Sequence, residues 1–171
     1  PDLIITVDSG IACNPGVALA KKYGWQVLIT DHHLPGENLP PADVIVNPNL
    51  TGDAFASKAL AGVGVMFYLL LALRKRLREQ NMPYADADIS SLLDLVAIGT
   101  VADMVKLDAN NRRLVRAGLS RINNGRCQPG VEALIEISGL QMGEITETDI
   151  GFRLAPKINA AGRLEDMALG I

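Results

Sequence analysis

The sequence predicts an α/β fold, a parallel sheet with flanking helices followed by a mainly helical second half. Short β-branched runs near the N-terminal end alternate with loop and helix signals, each run stops in polar residues, and from about residue 60 the apolar spacing turns helical. Asp2-Leu3-Ile4-Ile5-Thr6-Val7 has the continuous apolar pattern of a strand buried on both faces, and it ends at Asp8-Ser9-Gly10. Asn14-Pro15 reads as an N-cap with proline in the first helical position. Val17, Leu19 and Ala20 give that helix an apolar face, and Gly24 gives it a stop. A second strand, Trp25-Gln26-Val27-Leu28-Ile29-Thr30, runs into Asp31-His32-His33. A third, Asp43-Val44-Ile45-Val46, is cut off by Asn47-Pro48-Asn49. Strand-helix-strand units of this length require right-handed parallel crossovers.

The second half reads as a series of helices. Leu69, Leu70, Leu73 and Leu77 keep a helical period, with Arg74, Lys75, Arg76 and Arg78 at the end where cations suit the helix dipole. That basic run is read as a solvated helix end. Residues 89–98 form a largely buried helix and 110–123 an amphipathic one, with Leu114, Val115, Leu119 and Ile122 inward and Arg112, Arg113, Arg116 and Arg121 outside. Residues 129–138 form another short helix. Thr146 and Asp149 have the spacing of a capping box, opening a helix that Pro156 must end or kink.

Composition narrows the function classes. The 171 residues are 49% apolar and 20% charged, which excludes disorder, and the net charge of −3 shows no global field for nucleic acid. Residues 112–163 nonetheless carry eight basic against five acidic side chains, a local +3. Cys13 and Cys127 lie far apart, suggesting neither a disulfide framework nor a thiolate zinc site, so a reducing, cytoplasmic setting is expected. The longest apolar run, near residues 63–73, is too short to cross a bilayer. The chain opens at Pro1-Asp2 directly before a strand and closes after a charged segment, and it is read as an excerpt of a longer protein.

In an open parallel sheet, ligands collect outside the carboxyl ends of the strands. Asp8, Asp31-His32-His33 and Asn47 all fall there, and His32 and His33 are the only histidines of the chain. Carboxylates with imidazole form a mixed ligand set suited to Mn²⁺ and ions of similar hardness, less to Ca²⁺. A Ser9-His32-Asp31 triad is disfavoured, because adjacent residues do not readily set an acid behind the imidazole and a serine before it. Asp103 supplies a further carboxylate after an apolar helix, either as a ligand or as an ordinary capping or surface residue. A generic nucleotide-binding or receiver-like domain would leave the histidine pair unexplained, and Ser9-Gly10-Ile11 is not a glycine-rich phosphate loop.

Val7-Asp8-Ser9-Gly10, Asp31-His32-His33, Asn47-Pro48-Asn49, Gly99-Thr100-Val101-Ala102-Asp103-Met104 and Asn159-Ala160-Ala161-Gly162-Arg163 occur in the order and approximate spacing of the DHH phosphoesterase superfamily. The set most resembles the RecJ type, exonucleases specific for single-stranded DNA. The resemblance implies a two-metal site, with Mn²⁺ the expected ion and Mg²⁺ the alternative, hydrolysing phosphodiester bonds 5′ to 3′ in DNA repair and recombination. It implies that Asp8 bridges the ions, that His32 and Asp103 complete one of them, and that Asp31 orients the metal-bound imidazole. His33 would face the phosphate as ligand or donor, and Asn159 and Arg163 would lie near the substrate backbone. From the residues alone, Arg163 reads as a structural salt bridge. Two ions about 3.5–4 Å apart can clamp a phosphate and stabilise both attacking and leaving oxygens.

The resemblance also implies a DHH domain over 1–155, lacking its first strands and an Asp-x-Asp ligand pair. Residues 156–171 would begin a connector toward an absent substrate-binding domain. The 171 residues alone are therefore expected to bind Mn²⁺ weakly and to be inactive beside a version extended at both ends. Two rivals stay open. One is a superfamily phosphodiesterase for very short oligonucleotides or cyclic dinucleotides, and the other a non-catalytic scaffold in a replication or repair assembly.

Overall fold

The computed structural model describes residues 1–164, with side chains through residue 160. The chain divides into two compact units, Pro1–Ala85 and Asp86–Ile171. The division falls inside the span 1–155 expected as one domain, because each half closes an apolar core of its own. The α/β class with its helical second half holds. No helix among the described residues is long and apolar enough to cross a membrane.

In the first unit, β1 (Leu3–Val7), β2 (Gln26–Thr30) and β3 (Val44–Val46) pair in parallel in the order β1-β2-β3. Ile5 stands opposite Leu28, and Leu28 opposite Val44, so the three strand ends come out on one rim. Between β1 and β2 runs α1 (Asn14–Lys22), whose Val17 and Ala20 pack on Val27 and Ile29. Central β2 is the most buried strand. β1 is not buried on both faces as expected: Leu3, Ile5 and Val7 are nearly half exposed, and Ile4 alone of its large side chains packs against the α1 cluster. The N-cap of α1 is Cys13, not Asn14, and it makes no side-chain cap bond; the Asn14 side chain donates instead to Asn38 O at 3.2 Å. Asp43 lies just outside β3. Its carboxylate accepts from Val27 N and from Lys21 Nζ, each at 2.7 Å, tying β2 and α1 to the start of the third strand. The unit closes with α2 (Gly62–Glu79), which has no acid in its first turn and Arg76 and Arg78 in its last. Lys75 and Arg76 stand 3.9 and 3.8 Å from Glu79 on that solvated end.

The second unit opens with a 3₁₀ turn at Ile89–Leu92 and continues as α3 (Leu93–Ala102), α4 (Ala109–Asn123) and α5 (Pro129–Ile137). The helix expected over 89–98 thus starts later and runs further. Burial of Val96, Ala97, Ile98 and Thr100 draws Gly99 to Ala102 into it. Asp94, fully buried, accepts from Leu95 N at 2.8 Å and Gln128 N at 2.5 Å, which fixes the start of α5 against α3. α3 and α4 approach closely at Gly118, where an added Cβ would stand 2.1 Å from Leu93 O and 2.4 Å from Ala97 Cβ. Arg112, Arg113 and Arg116 project outward as expected, but Arg121 is drawn in, its Nη2 donating to Arg126 O at 2.9 Å.

The capping box forms: Thr146 Oγ1 accepts from Asp149 N, and Asp149 Oδ2 from Thr146 N, opening the one-turn α6 (Glu147–Asp149). Pro156 does not end the helix. A π turn at Ile150–Leu154 leads into α7 (Ala155–Leu164), with Ala155 N–H bonding back to Ile150 O. The wider turn relieves the carbonyl that the Pro156 ring would strike in a regular helix. The connector expected over 156–171 is helical through 164, and its remainder lies outside the described residues.

Candidate metal centre

Asp8 is the first residue past β1 and sits at φ 65°, the left-handed region that Asp enters more readily than most side chains. Its N–H continues the sheet by donating to Thr30 O at 3.0 Å, so the side chain is presented at the rim next to the end of β2. His32 Nε2 stands 3.0 Å from Asp8 Oδ1, and His32 is largely shielded while Asp8 is half exposed. Donor atoms of Asp8, His32 and His33 all lie within 4.8 Å of one another. Two donors about 2.1 Å from one octahedral ion stand about 3 Å apart, so the Asp8–His32 spacing fits a shared divalent cation, and the oxygen–imidazole donor set suits Mn²⁺.

Asp31 is the buried frame of this cluster. Its Oδ2 accepts from Ile11 N at 2.9 Å, and its Oδ1 from His32 N at 2.7 Å, His33 N at 3.1 Å and His33 Nδ1 at 2.7 Å. The ring that Asp31 engages is therefore that of His33, where the sequence led to the metal-bound imidazole of His32. A carboxylate on Nδ1 sets the proton there and leaves Nε2 as the outward nitrogen. Burial alone would raise the Asp31 pKa, but the donors from Ile11, the His33 ring and the His33 and His32 backbone hold it below the ordinary aspartate value. A depressed carboxylate contributes stability above its unfolded pKa, about 3.9, and that contribution is lost as pH falls through the lower folded value. Asp31→Asn should therefore lower the urea midpoint at neutral pH, and the gap to wild type should narrow as pH drops below about 4. A gap independent of pH would show that the Asp31 charge does not brace the loop.

The Asn47-Pro48-Asn49 segment has a role that sequence reasoning left unassigned. Asn47, almost fully buried, donates to His33 O at 2.9 Å, and Asn49 donates to His32 O at 2.6 Å. Asn47 Oδ1 accepts from Asn49 N at 2.8 Å, locking the pair. The carbonyls of both histidines are thus pinned by the end of β3, while Asp31 pins their N–H groups. Gly62, the first residue of α2, was also missed. An added Cβ would lie 2.3 Å from Asp8 Oδ1 and 2.5 Å from Asp8 Cβ, so the Asp8 side chain rests directly against the helix start. That end of a helix favours a negative charge, and α2 supplies none of its own.

Asp103 belongs to the second unit, where it is the exposed C-cap of α3, a position at which a carboxylate opposes the helix dipole. Met104 follows at φ 56°, a left-handed position where glycine is usual, with its side chain 89% exposed. Asn159 is exposed on α7. Arg163 lies outside the residues whose side chains are described.

A parallel sheet that gathers an aspartate and two histidines at adjacent strand ends defines an α/β protein with a candidate metal site. Residues 1–100 match the model of the DHH family, N-terminal domain, and the chain belongs to that family. It is 54% identical over 174 residues to the single-stranded-DNA-specific exonuclease RecJ of Dickeya dadantii, covering 99% of this chain and 30% of that protein. The chain thus spans about three-tenths of the length of such curated relatives. Among solved structures, exonuclease RecJ bound to manganese superposes with a TM-score of 0.80 at 38% identity, over 99% of this chain and 40% of that one. RecJ of Thermus thermophilus in complex with Mn²⁺ gives 0.77 at 39% identity, over 95% of this chain and 23% of that one.

Proposed function

We propose that this chain forms part of the active site of a divalent-metal exonuclease that hydrolyses single-stranded DNA 5′ to 3′ in DNA repair and recombination. The observation that carries the reading is the Asp8–His32–His33 cluster on the sheet rim. Support comes from the relatives, which are named as single-stranded-DNA-specific exonucleases, and from the manganese in the two similar structures.

Asp8 and His32 would hold the cation, with Mn²⁺ favoured. Bound there, divalent ions supply Lewis-acid stabilisation of charge developing on the phosphoryl oxygens. Asp31 keeps its proton partner at His33 Nδ1, so His33 Nε2 faces outward, to ligate when neutral or to donate to a phosphate oxygen when protonated. Asp103 is included as a ligand on its sequence resemblance and on a charge that the helix end disfavours. Asn159 and Arg163 would contact the substrate backbone. The intact Asp8, His32 and Asp103 favour an enzyme over a scaffold.

The test is Asp103→Ala in a full-length protein carrying this segment, assayed with Mn²⁺ on 5′-labelled single strands of several lengths. Loss of a ligand should cost about 10³-fold in rate, since such charge stabilisation is worth several kcal/mol. Unchanged activity would remove Asp103 from the site. A rate that collapses on long strands would point to the short-oligonucleotide phosphodiesterase.

A further inference from the structure

Two grooves of the second unit meet at Glu147. One, about 480 Å³, is lined by Arg112, Arg113 and Arg116 from the first turns of α4. The other, about 360 Å³, lies between the end of α3 and the π turn, lined by Met104, Phe152, Pro156 and Asn159. Their chemistry is complementary. Arg113 and Arg116 are exposed and have no carboxylate partner among the described residues, while Arg112 spends one N–H on Leu107 O at 2.7 Å. Glu147 is the one acidic side chain lining the basic groove. In the other groove, Phe152 is 81% exposed and Met104 still more so, so neither gains from burial. Met104 moreover occupies a backbone conformation usual for glycine, and folding stability gives no reason for a large apolar side chain there.

We infer that the two grooves form a track for single-stranded nucleic acid, with an unpaired base on Phe152 and Met104 and neighbouring phosphates on Arg112, Arg113 and Arg116. A ligand that fits a flat apolar seat beside guanidinium groups that no carboxylate neutralises is a polyanion with exposed rings. A single strand offers both, whereas a duplex buries its base faces in the stack. The assignment rests on the proposed reading that the protein acts on single-stranded DNA, and it adds where a stretch of that strand lies.

The test uses the full-length protein stripped of metal with EDTA, so that binding is read without cleavage. Anisotropy of a labelled oligothymidylate is followed across a KCl series. Arg113→Ala with Arg116→Ala should weaken binding and flatten the plot of log affinity against log salt by about 1.4, roughly 0.7 for each phosphate no longer neutralised. Replacing the same pair with lysine should restore the slope, because the charge is kept. Phe152→Ala should weaken binding about tenfold with the slope unchanged, as removal of one stacked base predicts. Wild-type affinity and slope in every variant would overturn the track. An equal loss on a blunt duplex of the same length would overturn its assignment to single strands. Cleavage with Mn²⁺ is read separately: a wild type that fails to cut single strands would overturn the proposed function, while the salt slopes still decide the track.

Discussion

Gly62→Ala in the full-length protein should lower Mn²⁺ affinity about 10- to 100-fold and cut nuclease activity about 100-fold at limiting metal. On propensity alone, alanine should stabilise the first turn of a helix. The added carbon, however, would stand 2.3–2.6 Å from Oδ1, Cβ and Cγ of Asp8, a contact no real Cβ makes. Rotating the carboxylate away cannot relieve it, because Asp8 Cβ is itself too close. Either α2 or the backbone at Asp8 must move, and Asp8 already sits in a left-handed conformation with little freedom to yield. A shift of about 1 Å is enough to spoil alignment with His32 Nε2. Gly62 is a positioning residue, so excess Mn²⁺ should recover part of the activity, which it would not do if the variant merely unfolded. Metal titration by calorimetry alongside the rate separates these outcomes, and wild-type values in both would sink the assignment.

Gly118→Ala should destabilise the second unit by about 2 kcal/mol or more, read as a lower urea midpoint at unchanged m-value. The helix-propensity gain of up to about 1 kcal/mol is outweighed. The neighbours of the new carbon are the Leu93 carbonyl and Ala97 Cβ, and neither can swing aside as a flexible side-chain tip would. Gly130→Ala in α5 is the control: nothing lies within 4 Å of its Cβ position, so the same substitution there should be neutral or slightly stabilising. Equal midpoints for the two variants would mean that α3 and α4 separate at little cost.

The elements that repeat locally were legible in the sequence. The β-branched runs of β1 and β2, the polar residues that stop them and the Thr146–Asp149 capping box all depend on neighbours a few positions away. The cluster of Asp8 with His32 followed from the same logic, since adjacent parallel strands bring their ends together. What escaped depends on partners distant in sequence. Asn49 reaches back to His32 and Asn47 to His33 across a loop whose path no local pattern encodes. Gly62 matters only through Asp8, which stands at the end of the first strand, and helical glycine ordinarily reads as a weak spot. Asp31 engages the ring of His33, and which of two adjacent imidazoles it meets depends on side-chain rotamers that no local pattern encodes. The early end assigned to α3 overlooked that burial can carry a helix through Gly99 and Thr100.

The π turn ahead of α7 has a consequence for how the chain keeps its helix faces in phase. Each residue of a regular helix advances the azimuth by about 100°, and a π turn holds one residue more than the α turn it replaces. The wider turn absorbs that extra residue, so the faces of α7 stay nearly in step with those of a regular helix one residue shorter and stand about 100° from those of a regular helix of the same length. Winding the same residues as a regular helix would rotate Asn159 off the groove it lines, with every side chain of α7 still present. In this segment the width of one turn, as much as the identity of its residues, decides which face α7 presents.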